Sequence, residues 1–175
     1  MLFTNLRVAK KGKYMSEATT ETARIADQLR RAFEGEAWHG DSLFQILDGI
    51  SAEQAVSRPI KSAHSIWELV LHISTWDNVC RRRLLGEALE PPAEENFPVV
   101  ADSSKAAWRH ALEHAKHQHI ELVKVVEAFP DSRLGDKVPG KEDEPAYHTF
   151  YYMLHGLVQH ELYHAGQISM LKKLV

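Results

Sequence analysis

The sequence has a single cysteine, Cys80, no long apolar run and no excess of positive charge. One cysteine excludes an intramolecular disulfide, and it fits a reducing cytoplasm, where we expect the protein to reside. Without a run of about 18 apolar residues, we expect no membrane partner. The net charge of −3 offers no basic surface, so we expect no nucleic-acid partner either.

The composition is otherwise that of one globular domain. Apolar residues make up 44% of the 175 residues, enough to form a core. Residues 1–15 are basic and aperiodic, and they lack the apolar segment of a secretory signal. We therefore expect residues 1–15 to form a flexible N-terminal extension and residues 16–175 to form one domain. Histidine is unusually frequent, with 11 copies.

Four long segments show apolar residues at intervals of three and four, which is typical of helices, and no segment alternates as a strand does. The second helix is predicted from a capping box at Ser65–Glu68 to a stop at Gly86. The last is predicted to start at Pro145, a favoured first-turn residue. Between the second and third helices, residues 87–100 are proline-rich and long enough for a crossover. We predict an all-α fold, a four-helix bundle.

Two histidines near the C-terminus, His160 and His164, lie four residues apart in the last helix. Residues at this spacing share one face, so both imidazoles can bind one divalent ion such as Zn²⁺, Ni²⁺ or Fe²⁺. Two ligands are too few for a tight site. His72 flanks the buried face of the second helix and is the best third candidate. We predict that His72, His160 and His164 bind the metal.

The same stretch, residues 160–164, also has the H-E-x-x-H pattern of zinc proteases. The extended form of that pattern requires glycine and histidine where this chain has Gln167 and Met170. The other form requires an acidic ligand downstream, and the sequence after His164 contains no aspartate or glutamate. The context therefore argues against a protease.

Three stretches, residues 37–43, 64–76 and 160–168, together resemble the DinB-like (YfiT-like) superfamily. The resemblance extends over about residues 20–173, with the motifs in the same order. It implies an up-down-down-up four-helix bundle, often a dimer. It also implies a metal site with one histidine from the second helix and an H-x-x-x-H pair from the last.

Characterised relatives of this kind include S-transferases and isomerases that use low-molecular-weight thiols. The resemblance therefore implies a divalent-metal-dependent transferase or hydrolase, with a small-molecule substrate and a low-molecular-weight thiol as a candidate cofactor. A homodimer is also expected. Trp67 lies off the apolar stripe of its helix, so we predict that it marks the dimer surface.

Several residues near the predicted metal are candidates for catalysis or binding. Glu161 is a candidate base, although its helical position points toward the core. Glu68 precedes His72 by one turn and is a candidate to orient an imidazole. Candidate substrate or cofactor contacts are Trp76, Gln167 and His39.

The alternative function is a non-catalytic metal- or small-ligand-binding protein of the stress or sensor type. The two functions differ in what surrounds the ion. A substrate-sized pocket with open coordination positions favours the enzyme. A fourth protein ligand, from His39, His119 or Glu68, would close the site and favour the binding protein.

Overall fold

The computed structural model describes residues 20–141, 143 and 148–175, and its regular elements are all helical. Across these residues the only β-pairings are two isolated bridges, so the predicted all-α class is confirmed. The extension predicted over residues 1–15 lies outside the described residues. The α-helices are α1 (Glu21–Phe33), α2 (Leu43–Leu47), α3 (Ala52–Val56), α4 (Ile66–Leu84), α5 (Ala93–Asn96), α6 (Lys105–Ala128) and α7 (Phe150–Lys172).

The start and end of α4 follow the predicted signals. Ser65 Oγ accepts a hydrogen bond from the Glu68 backbone N–H, and the Glu68 carboxylate accepts one from the Ser65 N–H at 2.8 Å. Beyond the helix, Gly86 has a φ of +99°, a left-handed conformation that other residues adopt at a cost. None of the helices in the described ranges is long and apolar enough to cross a membrane.

The predicted start of the last helix, Pro145, lies outside the described residues, in which α7 begins at Phe150. His148 accepts a backbone hydrogen bond from Val138, and the Phe150 N–H donates to Asp136, so this stretch pairs with the preceding loop. Thr149 caps the helix, its side chain accepting from the Tyr152 N–H. Threonine satisfies the free N–H groups of a first turn, and the helix therefore begins at Phe150.

The two central helices are α4 and α6, and α4 also packs against α3, α5 and α7. Because neighbours surround it, α4 buries thirteen of its nineteen residues instead of one stripe. Trp67 is one of them, 3% exposed, with its ring centre 5.0 Å from that of Trp108. The prediction that Trp67 marks a dimer surface is therefore wrong.

Several polar side chains of α4 are buried together with its apolar ones. Burying a polar group costs free energy unless it has a hydrogen-bond or charge partner, so we identify the surroundings of each one. Glu68 lies in the N-terminal cap, His72 and Asp77 each belong to a cluster with residues of α7, and Arg83 lies near the C-terminal end. The buried polar residues of α4 are Glu68, His72, Ser74, Asp77 and Arg83.

Candidate metal centre

Three histidines from two helices meet at the contact between α4 and α7. His160 Nε2 lies 2.9 Å from His72 Nε2 and 3.1 Å from His164 Nε2. Two nitrogens that bind one ion at about 2.1 Å are roughly 3.0–3.4 Å apart at common bond angles. The three nitrogens therefore have the spacing of ligands around a single divalent ion.

Hydrogen bonds on the far side of two rings fix which nitrogen carries the proton. His72 Nδ1 lies 2.6 Å from the Asn96 backbone oxygen, and His164 Nδ1 lies 2.6 Å from Gln167 Oε1. Oxygens of this kind only accept, so each Nδ1 is the donor. In a neutral imidazole the lone pair is then on Nε2. The lone pairs of His72 and His164 consequently face the same point beside His160 Nε2. Metal sites show the same arrangement when hydrogen-bond partners outside the ligand shell orient the ligands.

All three imidazoles are neutral at pH 7. Burial, together with nearby imidazoles, lowers the pKa of His72 to about 4 and that of His160 to about 3. Burial also lowers the pKa of His164. A metal ion displaces protons from its ligands, so a site that is already deprotonated binds without that cost. The donor set therefore fits a divalent ion.

A cavity of about 450 Å³ opens beside the three Nε2 atoms. Its wall is mainly apolar, with Trp76, Met153 and Leu157 contributing, and it reaches Arg83 at one end. The size and the apolar lining are those of small-molecule sites, in which a few polar groups orient the ligand.

The crossover between α4 and α6 closes one side of the site. Phe97 stacks between His64 and His72, with ring centres 3.7 and 3.9 Å away. Asn96 accepts from Trp76 Nε1 through its side chain and from His72 through its backbone. Neither residue was predicted, because the crossover has no periodicity and its contacts are long-range.

The family model described as the DinB superfamily matches residues 37–168, more than half of the chain. The chain belongs to the DinB superfamily. The matched region includes all three histidines of the centre. No curated protein and no solved structure matches the chain.

Of the predicted contacts in this DinB-superfamily chain, Trp76 and Gln167 lie beside the three histidines, and His39 does not. Trp76 lines the cavity, and Gln167 orients His164. His39 is exposed and lines a separate cavity together with Val158. Gln167 therefore contacts His164 and is not among the residues that line the cavity beside the three histidines.

Glu68 is placed in the cap of α4 and forms an ion pair with Arg58. Burial raises the pKa of its carboxyl, but the hydrogen bonds from Ser65 and the Arg58 charge outweigh burial and lower it. Among the described residues, the cluster of possible ligand atoms around His72 does not include Glu68. The orienting role predicted for Glu68 falls instead to the Asn96 backbone.

Glu161 belongs to a second, fully buried cluster with Asp77 and His119. His119 Nδ1 lies 3.1 Å from Asp77 Oδ2 and 3.4 Å from Glu161 Oε1. Burial and the Asp77 charge raise the pKa of Glu161 to about 8. Burial lowers the pKa of His119, but its hydrogen bonds to the two carboxyls raise it to about 10.

These three residues could also hold an ion, since their ligand atoms lie within 4.8 Å of one another. Ion pairing accounts for the cluster without one, because a protonated His119 offsets the single negative charge that the two buried carboxyls share when the pKa of Glu161 is raised. His119 is also stacked on Phe33 at 3.8 Å, as a packed core residue would be. The structure thus places Glu161, the predicted base, with His119 and away from the three Nε2 atoms.

Replacing Gln167 with alanine is expected to lower affinity for Zn²⁺ or Ni²⁺ by about 10–100-fold, because His164 loses the acceptor that fixes its tautomer. Gln167→Glu is the matched control, since its carboxylate keeps an acceptor for His164 Nδ1 and should retain affinity. Competition with a chromophoric chelator measures both variants. Equal affinities for wild type and Gln167→Ala would show that the hydrogen bond does not orient the ligand.

Proposed function

We propose that the protein is a divalent-metal-dependent enzyme that acts on a small molecule, with His72, His160 and His164 as the metal ligands. The ion is Zn²⁺, Ni²⁺ or Fe²⁺, the divalent ions for which imidazole is a suitable ligand. The reaction is thiol-dependent S-transfer or hydrolysis. In the S-transfer reaction, a low-molecular-weight thiol is the cosubstrate.

One observation carries this proposal. The lone pairs of His72 and His164 are directed at one point by Asn96 and Gln167, and that point borders a cavity of about 450 Å³. Three protein ligands leave coordination positions for water or substrate, as catalytic metal sites do. A purely structural site would have no need of a cavity on its open side.

The chain's own residues supply position and environment. Asn96 and Gln167 hold two imidazoles in the ligating tautomer, and Phe97 covers the face of His72. The apolar wall around Trp76 reduces the water around a bound substrate and strengthens electrostatic interactions there. A divalent ion, when bound, lowers the pKa of the water or thiol that it holds and so provides a nucleophile at neutral pH.

The alternative, a closed binding site, requires a fourth protein ligand. His39, His119 and Glu68 were the candidates, and the structure engages each of them elsewhere or leaves it exposed. Among the described residues, the cluster of possible ligand atoms contains the three histidines alone. This arrangement supports the enzyme over the sensor.

We also propose that the long helices α1, α4, α6 and α7 form an up-down-down-up four-helix bundle, with the crossover between α4 and α6. Its support is the packing of α4 and α1 each against both α6 and α7. A homodimer in the cytoplasm, with no nucleic-acid or membrane partner, completes the proposal. The apparent mass in solution, measured by light scattering, tests the dimer.

The test of the proposed function is whether the metal accepts an outside ligand. Wild-type protein loaded with Co²⁺ is titrated with 2-mercaptoethanol and, separately, with azide. We expect new charge-transfer absorption that saturates, because coordination positions are open. A cobalt spectrum that neither compound changes would contradict the enzyme proposal and favour the closed site.

A further inference from the structure

The metal-side cavity has a second polar end, formed by Arg83. This residue lies on α4, three turns after His72, and its side chain is 8% exposed. It lines both the cavity of about 450 Å³ and an adjoining one of about 240 Å³. A guanidinium stays charged in proteins, so the apolar wall of the cavity contains a buried positive charge.

Other groups hold the guanidinium in place. Arg83 Nε donates to the Leu89 backbone oxygen at 2.9 Å, and Arg83 Cζ lies 5.7 Å from the centre of the Trp76 ring. The planar fork is therefore oriented before any ligand arrives. Such a fork suits a carboxylate, with which it can form two parallel hydrogen bonds.

A carboxylate already occupies this position. Glu90 Oε1 lies 2.8 Å from Arg83 Nη2 and 2.7 Å from Lys141 Nζ. The Glu90 side chain is 59% exposed, in contrast to the buried arginine. Because Glu90 is the exposed partner, it can turn into water while a carboxylate from solution takes over its contact with Arg83.

The distance between the two ends limits the ligand's length. The Trp76 ring centre lies 6.1 Å from that of His160 and 5.7 Å from Arg83 Cζ. The His160 ring and Arg83 Cζ are therefore at most about 12 Å apart, so a straight chain of roughly eight bonds of about 1.5 Å is long enough to contact both ends.

We propose that the substrate, or the thiol cosubstrate, carries a carboxylate that binds Arg83 in exchange for Glu90, while its reacting group lies at the three histidines. The body between them is apolar and packs on Trp76. This inference rests on the proposed function, and it adds a specificity-determining residue and a substrate class to it.

The first experiment titrates the Co²⁺-loaded protein with 8-mercaptooctanoate and with its uncharged analogue 8-mercaptooctan-1-ol. The thiolate charge-transfer band reports the binding of both. We expect the acid to bind roughly tenfold more tightly, a typical gain from a charge-assisted hydrogen bond. The short pair, 3-mercaptopropionate and 2-mercaptoethanol, should show a smaller preference, because its carboxylate stays closer to the three histidines.

Variants then assign the preference to this site. Arg83→Met should bring the acid-to-alcohol ratio close to one, and Arg83→Lys should restore part of it. Glu90→Gln keeps Arg83 and removes the competing carboxylate, so it should increase the affinity for the acid and leave the affinity for the alcohol unchanged. Equal binding of the two long thiols by wild type, or an unchanged preference in Arg83→Met, would overturn the proposal.

A second arm separates this proposal from the proposed function. Metal-free protein is titrated with octanoate and octan-1-ol, and tryptophan fluorescence is followed. If thiols leave the cobalt spectrum unchanged while octanoate binding still depends on Arg83, the enzyme proposal fails and the carboxylate site stands. If the octanoate preference is absent as well, both fail. Should Arg83→Met not fold, the tighter octanoate binding expected of Glu90→Gln decides in its place.

Discussion

Replacing His160 with alanine is expected to lower the affinity for Zn²⁺ or Ni²⁺ by more than about a hundredfold. This loss exceeds the range typical for mutating a residue that only hydrogen-bonds to a metal ligand. His160 Nε2 is the nitrogen that lies close to both other ligand atoms. Its removal leaves two ligands on different helices. Competition titration against a chelator of known affinity measures the change.

His110→Ala is the matched control for that variant. His110 is exposed on α6, in a surface row with His114 and His117 that could bind metal adventitiously. We expect its affinity to equal that of the wild type. Circular dichroism should show helical content unchanged in both variants, because neither side chain belongs to the apolar core. Equal losses in the two variants would contradict the assignment of the site.

Replacing His119 with alanine is expected to destabilise the protein by about 3–5 kcal/mol, the usual cost of removing one partner from a buried ion pair. Asp77 and Glu161 would then face each other in the core, both almost fully inaccessible to water. Urea denaturation gives the free energy of unfolding. His117→Ala, an exposed change on the same helix, should alter it by less than about 0.5 kcal/mol.

The same ion pairing has a pH dependence of definite sign. The pKa of His119 is about 10 in the folded protein and about 6.5 in an unfolded chain. The folded state therefore holds a proton that the unfolded state loses, and stability falls as the pH rises from about 6.5 toward 10. A free energy of unfolding that rises over pH 6.5–9 would contradict a protonated His119 in the core.

Local sequence signals predicted much of the fold. The capping box at Ser65 and the glycine at position 86 act within one turn, so they define α4 without tertiary information. The i, i+4 spacing likewise fixed the relation of His160 to His164. His72 could be proposed because it flanks an apolar stripe, and the structure brings it to the other two.

The features that the sequence did not predict depend on tertiary contacts. Trp67 was assigned to the surface because one apolar stripe was assumed, whereas α4 has neighbours on several sides. The start of α7 depends on pairing between His148 and Val138, which no local pattern shows. Asn96 and Phe97 join the site only through the path of the crossover. Arg83 reaches the cavity from the C-terminal turn of α4, in a row of arginines that resembles a solvated helix end.

The most direct test of the three-histidine metal centre is the metal content of the purified, tag-free protein. Elemental mass spectrometry is applied to the wild type and to a His160→Ala/His164→Ala variant, each reloaded with Zn²⁺ or Ni²⁺ and then desalted. About one equivalent per chain in the wild type, and none in the variant, is the predicted result. Wild-type protein that retains no metal after reloading would contradict the central claim, and the three histidines would then be packing residues.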